Sequence, residues 1–255
     1  MEPHRLNPIT LISGAATPLG AGCARLLSRR SEGGLILVDA DADALDRAAD
    51  ALTQPPERVS TLAIDTSDPE RWAAARDFIQ AQYGRIDWAI VTAAPPPPPD
   101  SDLVDWRTSA EADLSAAYHG LRAAMDLIGE NPQGGAIILA ASALPLEADS
   151  PEAAAKAGLL HLVRAAAHEG GPNNIRVNAI APGGPHLQAW ADMANFQELV
   201  RDGGSERAAC EALMRQGAPI ARYGSDNVAE LMLMLLADEC PLTGAALMVD
   251  AGDVI

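Results

Sequence analysis

Short apolar runs alternate with longer amphipathic stretches along the whole chain. The runs are Ile9–Ile12, Leu35–Val38, Val59–Ile64, Trp88–Val91, Ala136–Ala140, Arg176–Ile180 and Ala246–Val249. Each is mostly apolar and bounded by turn residues, the pattern of a strand buried on both faces. The stretches between them are helical in period: Leu19–Arg30, Ala42–Leu52, Pro69–Gln82, Leu103–Ile128, Pro151–His168 and Asn227–Ala237. Strand and helix in alternation predict an α/β fold, a doubly wound parallel sheet of about seven strands with helices on both faces. The pattern is continuous, so residues 1–255 are expected to form a single domain.

Punctuation supports these boundaries. Asp68-Pro69 and Ser150-Pro151 each place an N-cap residue before a proline at the first helical position. Gly170-Gly171-Pro172 predicts a helix stop. Pro95–Pro99 is five consecutive prolines and reads as a stiff, extended loop. The region 183–217 is the least regular and is the expected place for a substrate lid.

Composition narrows the function classes. Hydrophobic residues make up 48% and charged residues 21% of the 255, which supplies ample core and excludes a disordered or disulfide-scaffold protein. Eighteen Lys and Arg against 35 Asp and Glu give a net charge of −17, which repels nucleic-acid phosphates and anionic lipids. Neither nucleic acid nor membrane is therefore expected as a partner. Cys23, Cys210 and Cys240 are odd in number and not in metal-ligand spacing, so free thiols and no metal are expected. Met1–Arg5 has no apolar signal core, and the longest apolar stretches are too short to span a bilayer; the expectation is a cytoplasmic protein.

Candidate chemistry begins after the first strand. Ser13-Gly14-Ala15-Ala16-Thr17-Pro18-Leu19-Gly20 is a glycine-containing turn opening a helix, which suits a backbone approach to pyrophosphate. Asp39 lies 19 residues after Gly20, where a carboxylate accepts from a ribose 2′-OH and repels a 2′-phosphate. The turn resembles the Thr-Gly-x-x-x-Gly-x-Gly loop of the short-chain dehydrogenase/reductase family. The stretches Asn173–Gly183 and Leu242–Gly252 are similar to that family's sixth-strand and C-terminal signatures, so the resemblance covers nearly the whole chain. It implies a Rossmann-like domain and a dinucleotide site. By resemblance that site takes in Gly14, Thr17, Pro18, Leu19, Gly20, Asp39, Asp65, Ala93, Ala94, Lys156, Pro182 and Gly183, with NAD as the nucleotide. Pro18 replaces the middle glycine and removes one donor, yet Thr17 as N-cap with Pro18 first in the helix remains a sound helix start. Where the family has Asn-Asn-Ala-Gly, this chain has Thr92-Ala93-Ala94-Pro95, and Leu187 stands near a customary threonine.

The family's chemistry uses Ser, Tyr and Lys with an Asn on the helix after strand four. By resemblance, Ser142 matches the serine and Lys156 the lysine, while Glu152 stands at the tyrosine and Asp113 at the asparagine. Tyrosine titrates near 10 and glutamic acid near 4.3, so a carboxylate in that place is ionised at neutral pH and holds no proton to donate. Lys156 four residues on reinforces the charged form. The same spacing also suits a plain ion pair of about 0.2–0.5 kcal/mol.

Three functional expectations follow. The first is a degenerate member of the family acting as a non-catalytic or regulatory subunit. It would assemble through helices 103–128 and 151–168 as a homo-oligomer or as a hetero-oligomer with an active homologue. The second is a non-redox lyase, dehydratase or isomerase with Glu152 or Asp113 as base. The third is an atypical NAD-dependent oxidoreductase acting on a carbonyl or alcohol. The sequence does not name a substrate.

Overall fold

The computed structural model describes residues 7–92, 114–140, 151–182, 194–203 and 225–249. Seven strands form one parallel sheet: β1 Thr10–Ser13, β2 Leu35–Asp39, β3 Val59–Ala63, β4 Trp88–Thr92, β5 Gly135–Ala140, β6 Ile175–Pro182 and β7 Ala246–Val249. Their order is β3-β2-β1-β4-β5-β6-β7, so the winding reverses between β1 and β4. That reversal opens a crevice beyond the carboxyl ends of these two strands, where open α/β sheets bind ligands.

The helices are α1 Pro18–Arg30, α2 Ala42–Asp50, α3 Pro69–Tyr83, α4 Ala116–Gly129, α5 Pro151–Gly170, α6 Ala194–Gly203 and α7 Ser225–Leu236. Strand alternation sorts the core into two layers. Leu11, Val38, Val91, Leu139 and Val177 face one side, where Trp72 and Ile79 of α3, Leu121 of α4 and Val163 of α5 cover them. Ile12, Leu37, Ile90, Ile138 and Ile180 face the other, under Cys23 and Leu27 of α1, Leu45 of α2 and Met232 of α7. Burial at the α1–α7 contact pushes the Cys23 thiol up to about 12, which removes it as a nucleophile near neutral pH.

The expected strands are all present, with one difference. β3 and β7 are not buried on both faces but partly exposed, because they are the two edges of the sheet. Their runs look like central strands because edge position is set by topology and not by local composition. The stop after α5 also differs in detail. The helix runs to Gly170, a short 3₁₀ turn follows at Gly171–Asn173, and Asn174 takes the left-handed conformation at φ 55°. The helix expected from Leu103 is described from Ala116, after a wider opening turn at 114–115; residues 103–113 lie outside the described residues.

Local chemistry fixes the rest. Asp68 caps α3 by accepting from the Glu70 N–H at 2.8 Å, and Gly84 closes it with φ 73°. Arg176 on β6 donates to the Leu235, Leu236 and Ala237 carbonyls at 2.7–3.0 Å, satisfying acceptors at the end of α7. Asn178 donates to the Leu242 carbonyl and accepts from the Ala245 N–H, which docks the turn before β7. The Arg-Val-Asn of the sixth-strand signature is thus a brace for the C-terminal strand. At the amino end of β4, Asp87 is 2% exposed. Its carboxylate accepts from the Ile9 N–H at 2.9 Å and from the Asn131 amide at 2.8 Å.

Replacing Asp87 with alanine strands both donors in the interior. The expected cost is about 3 kcal/mol of unfolding free energy, read as a lower urea midpoint at unchanged slope.

Candidate functional site: the nucleotide crevice

β1 passes into α1 through two close approaches that only glycine permits. Gly14 has φ +75°, and a Cβ on it would lie 1.8 Å from the Thr92 hydroxyl oxygen. A Cβ on Gly20 would lie 2.2 Å from the Gly14 carbonyl oxygen. Thr92, at the end of β4, donates its hydroxyl hydrogen to the Ser13 carbonyl at 3.1 Å, so the two strands flanking the crevice are tied at their carboxyl ends.

The donors of the loop can be counted. The Gly14 and Ala15 N–H groups donate to the Val38 carbonyl, and the Thr17 N–H to the Gly14 carbonyl. The Ala16 N–H donates to Asp39 Oδ2 at 2.9 Å. Thr17 is the N-cap of α1: its hydroxyl donates to the Gly14 carbonyl at 2.7 Å and accepts from the Gly20 N–H at 3.1 Å. Pro18, exposed, is first in the helix and has no N–H. Among the described residues, one backbone donor of residues 14–20 has no partner, that of Leu19. It stands in the first turn of α1, at the positive end of the helix dipole. Such a donor suits an anionic acceptor such as a phosphate oxygen.

Asp39, half-buried, ends β2 and shapes the loop through the Ala16 bond. Its Oδ1 accepts from the Ala40 N–H at 2.8 Å and the Asp41 N–H at 3.3 Å. A carboxylate has about four lone-pair sites, so capacity for ribose hydroxyls remains. Asp65 is exposed past β3, and its Oδ1 accepts from the Ser67 hydroxyl at 2.7 Å and the Ser67 N–H at 2.9 Å. Those bonds hold its carboxyl below the ordinary Asp range. Pro182 is the buried last residue of β6. The donor set, the narrow glycine turn and the acidic end of β2 fit a dinucleotide, with one helix-start donor fewer than glycine at position 18 would supply.

The structure therefore brings together Gly14, Thr17, Pro18, Leu19, Gly20 and Asp39 at the turn out of β1. Glu152 and Lys156 are one turn apart at the start of α5. Ala93, Ala94, Asp113, Ser142, Gly183 and Leu187 lie outside the described residues, as does most of the 183–217 region. The sequence did not flag the hydroxyl of Thr92 or the solitary status of the Leu19 N–H; the first needs the strand pairing, the second the full hydrogen-bond count. Among the described residues no helix is long and apolar enough to cross a membrane.

This arrangement defines a dinucleotide-binding α/β protein. A family model described as enoyl-(acyl carrier protein) reductase matches residues 14–253, and the chain belongs to the short-chain dehydrogenase/reductase family. It is 32% identical to cis-4-hydroxycyclohexanecarboxylate dehydrogenase of Sinomonas cyclohexanicum, over 96% of this chain and 95% of that one. It is 29% identical to (-)-trans-carveol dehydrogenase of Rhodococcus erythropolis, over 97% of both. L-sorbose reductase of Gluconobacter frateurii, solved with NADPH and L-sorbose, shares the fold at a TM-score of 0.83 and 23% identity, over 99% of this chain and 98% of that one.

These likenesses correct the expectation of a non-catalytic subunit. Full-length relatives carry the names of working dehydrogenases, which points to oxidoreductase activity. The error came from weighing each departure as a loss. Pro18 in fact starts α1 without distortion.

Two variants test the site. Pro18→Gly returns an N–H to the helix start and is expected to tighten NAD binding about threefold to tenfold by fluorescence titration. Thr17→Ala removes the cap and is expected to cost about 1 kcal/mol of stability and to weaken NAD binding.

Proposed function

We propose that the protein is an NAD-dependent dehydrogenase that oxidises a secondary hydroxyl on a saturated or partly saturated six-membered ring. The observation that carries this reading is the 32% identity, end to end, with a dehydrogenase of a hydroxycyclohexane carboxylate. The carveol dehydrogenase likeness supports the same alicyclic class. Asp39 supports NAD over NADP, since its carboxylate repels a 2′-phosphate.

In this reading the Leu19 N–H and the start of α1 hold the pyrophosphate and Asp39 takes the ribose hydroxyls. The bound nicotinamide supplies the hydride acceptor. Ser142 steadies the substrate oxygen by resemblance to the family. Glu152 takes the hydroxyl proton as the carbon–hydrogen bond breaks. Glutamic acid is ordinarily ionised at neutral pH. A charged carboxylate is a base and not an acid, so the chain favours alcohol oxidation over ketone reduction at neutral pH. We further propose that the protein assembles with copies of itself through α4 and α5, with half-exposed Tyr118 of α4 on the joining face.

The test is NADH formation from cyclohexanol and from cis-4-hydroxycyclohexanecarboxylate. Glu152→Gln is expected to lower kcat about 100-fold with little change in KM. Glu152→Tyr is expected to raise ketone reduction at pH 7 relative to oxidation. Wild-type oxidation should fall as Glu152 becomes protonated below about pH 5. Full turnover by Glu152→Gln removes Glu152 as the base.

A further inference from the structure

The loop that follows β3 lies on the rim of the nucleotide crevice. The Ile64 N–H donates to the Asp39 carbonyl at 2.9 Å, which sets residues 64–68 beside the acidic end of β2. The strand order β3-β2-β1 puts this loop two strands away from the glycine turn. Neighbouring strands are about 4.8 Å apart, so the separation is about 10 Å. Phosphate, ribose and base follow one another in a nucleotide. With phosphate at the start of α1 and ribose at Asp39, the base falls at the end of β3.

One peptide of this loop is held at both ends. The Trp72 indole N–H donates to the Thr66 carbonyl at 2.9 Å. The other end of the same peptide plane, the Ser67 N–H, donates to Asp65 Oδ1 at 2.9 Å. Indole, peptide and carboxylate thus form a chain of two hydrogen bonds through one planar unit. Trp72 is itself fixed: it is 3% exposed, and its backbone N–H donates to the Asp68 carbonyl at 3.2 Å. On its far side α4 runs close to the ring, since a Cβ on Gly120 would lie 3.3 Å from Trp72 Cζ2. Asp65 Oδ1 also accepts from the Ser67 hydroxyl, while among the described residues Asp65 Oδ2 has no partner.

We propose that Trp72 is a positioning residue for the nucleotide base: through the peptide between Thr66 and Ser67 it aims the free oxygen of Asp65 at the exocyclic amine of adenine. This rests on the NAD reading and adds to it a buried residue that acts only through the loop. An exposed carboxylate is ordinarily free to turn, and ordering it opposes binding. Here the Ser67 bonds take one oxygen, and the buried indole fixes the peptide that supplies one of them. The second oxygen is therefore presented with its orientation already set.

The test compares NADH with reduced nicotinamide hypoxanthine dinucleotide, which carries a carbonyl in place of that amine, by fluorescence titration of the full chain. Wild type is expected to bind NADH about tenfold tighter, the worth of one hydrogen bond to a charged group. Trp72→Phe keeps a ring against Gly120 and removes the donor. Its preference is expected to fall below about threefold through weaker NADH binding, with the hypoxanthine dinucleotide bound as before. Asp65→Ala is expected to do the same, and the double variant to lose nothing more. A second measurement leaves Trp72 in place. With ¹⁵N-tryptophan, its indole N–H signal is assigned by replacing Trp88, Trp106 and Trp190 in turn with phenylalanine. That signal is expected to shift further on saturation with NADH than with the hypoxanthine dinucleotide. A tenfold preference retained in Trp72→Phe overturns the proposal, as do wild type that binds both dinucleotides alike, losses that add in the double variant, or equal indole shifts. Failure of wild type to bind either dinucleotide overturns the NAD reading itself, and this inference with it.

Discussion

The crevice depends on backbone passing backbone at the turn out of β1. The Gly14 main chain runs against the Thr92 side chain, and Gly20 against the Gly14 carbonyl, at separations that leave no room for a Cβ. This contact lets α1 begin directly over the end of the sheet, at the place where the strand order reverses. Everything that recognises a dinucleotide is referenced to it. The Asp39 carboxylate reaches back to the Ala16 N–H, so the acidic end of β2 and the loop it faces hold each other in place. A change at either end of that bond would move both the loop and the end of β2.

The same loop explains how a proline is accommodated where a glycine is customary. Proline is costly inside a helix and harmless at its first position, where its N–H would have no partner in the helix anyway. Thr17 supplies the cap, and among the described residues the remaining donors are committed within the loop or to the end of β2, except at Leu19. The site keeps the helix dipole and one directed N–H. The helix start itself is kept intact on these terms, with one N–H fewer than glycine would supply.

Much of this was legible in the sequence. The seven apolar runs became the seven strands because parallel strands covered on both faces carry an unbroken apolar signal. The Asp68-Pro69 and Thr17-Pro18 helix starts were legible because capping is local chemistry. Edge position was not, since β3 and β7 are edges only by virtue of the winding. Neither were the long-range braces. Arg176 reaches the carbonyls ending α7 some 60 residues later, and Asp87 reaches Asn131 over 44. Function was misread as well. Departures at Pro18, Pro95, Leu187, Glu152 and Asp113 together pointed to lost activity, whereas relatives matched end to end carry dehydrogenase names.

The central claim is that this crevice holds NAD for dehydrogenase chemistry. Calorimetric titration of the full chain with NAD, NADH and NADPH tests it most directly. The account predicts saturable one-site binding of NAD and NADH, at least tenfold tighter than NADPH, with the preference lost in Asp39→Ala. Absence of heat with all three nucleotides, or a preference for NADPH, would contradict it.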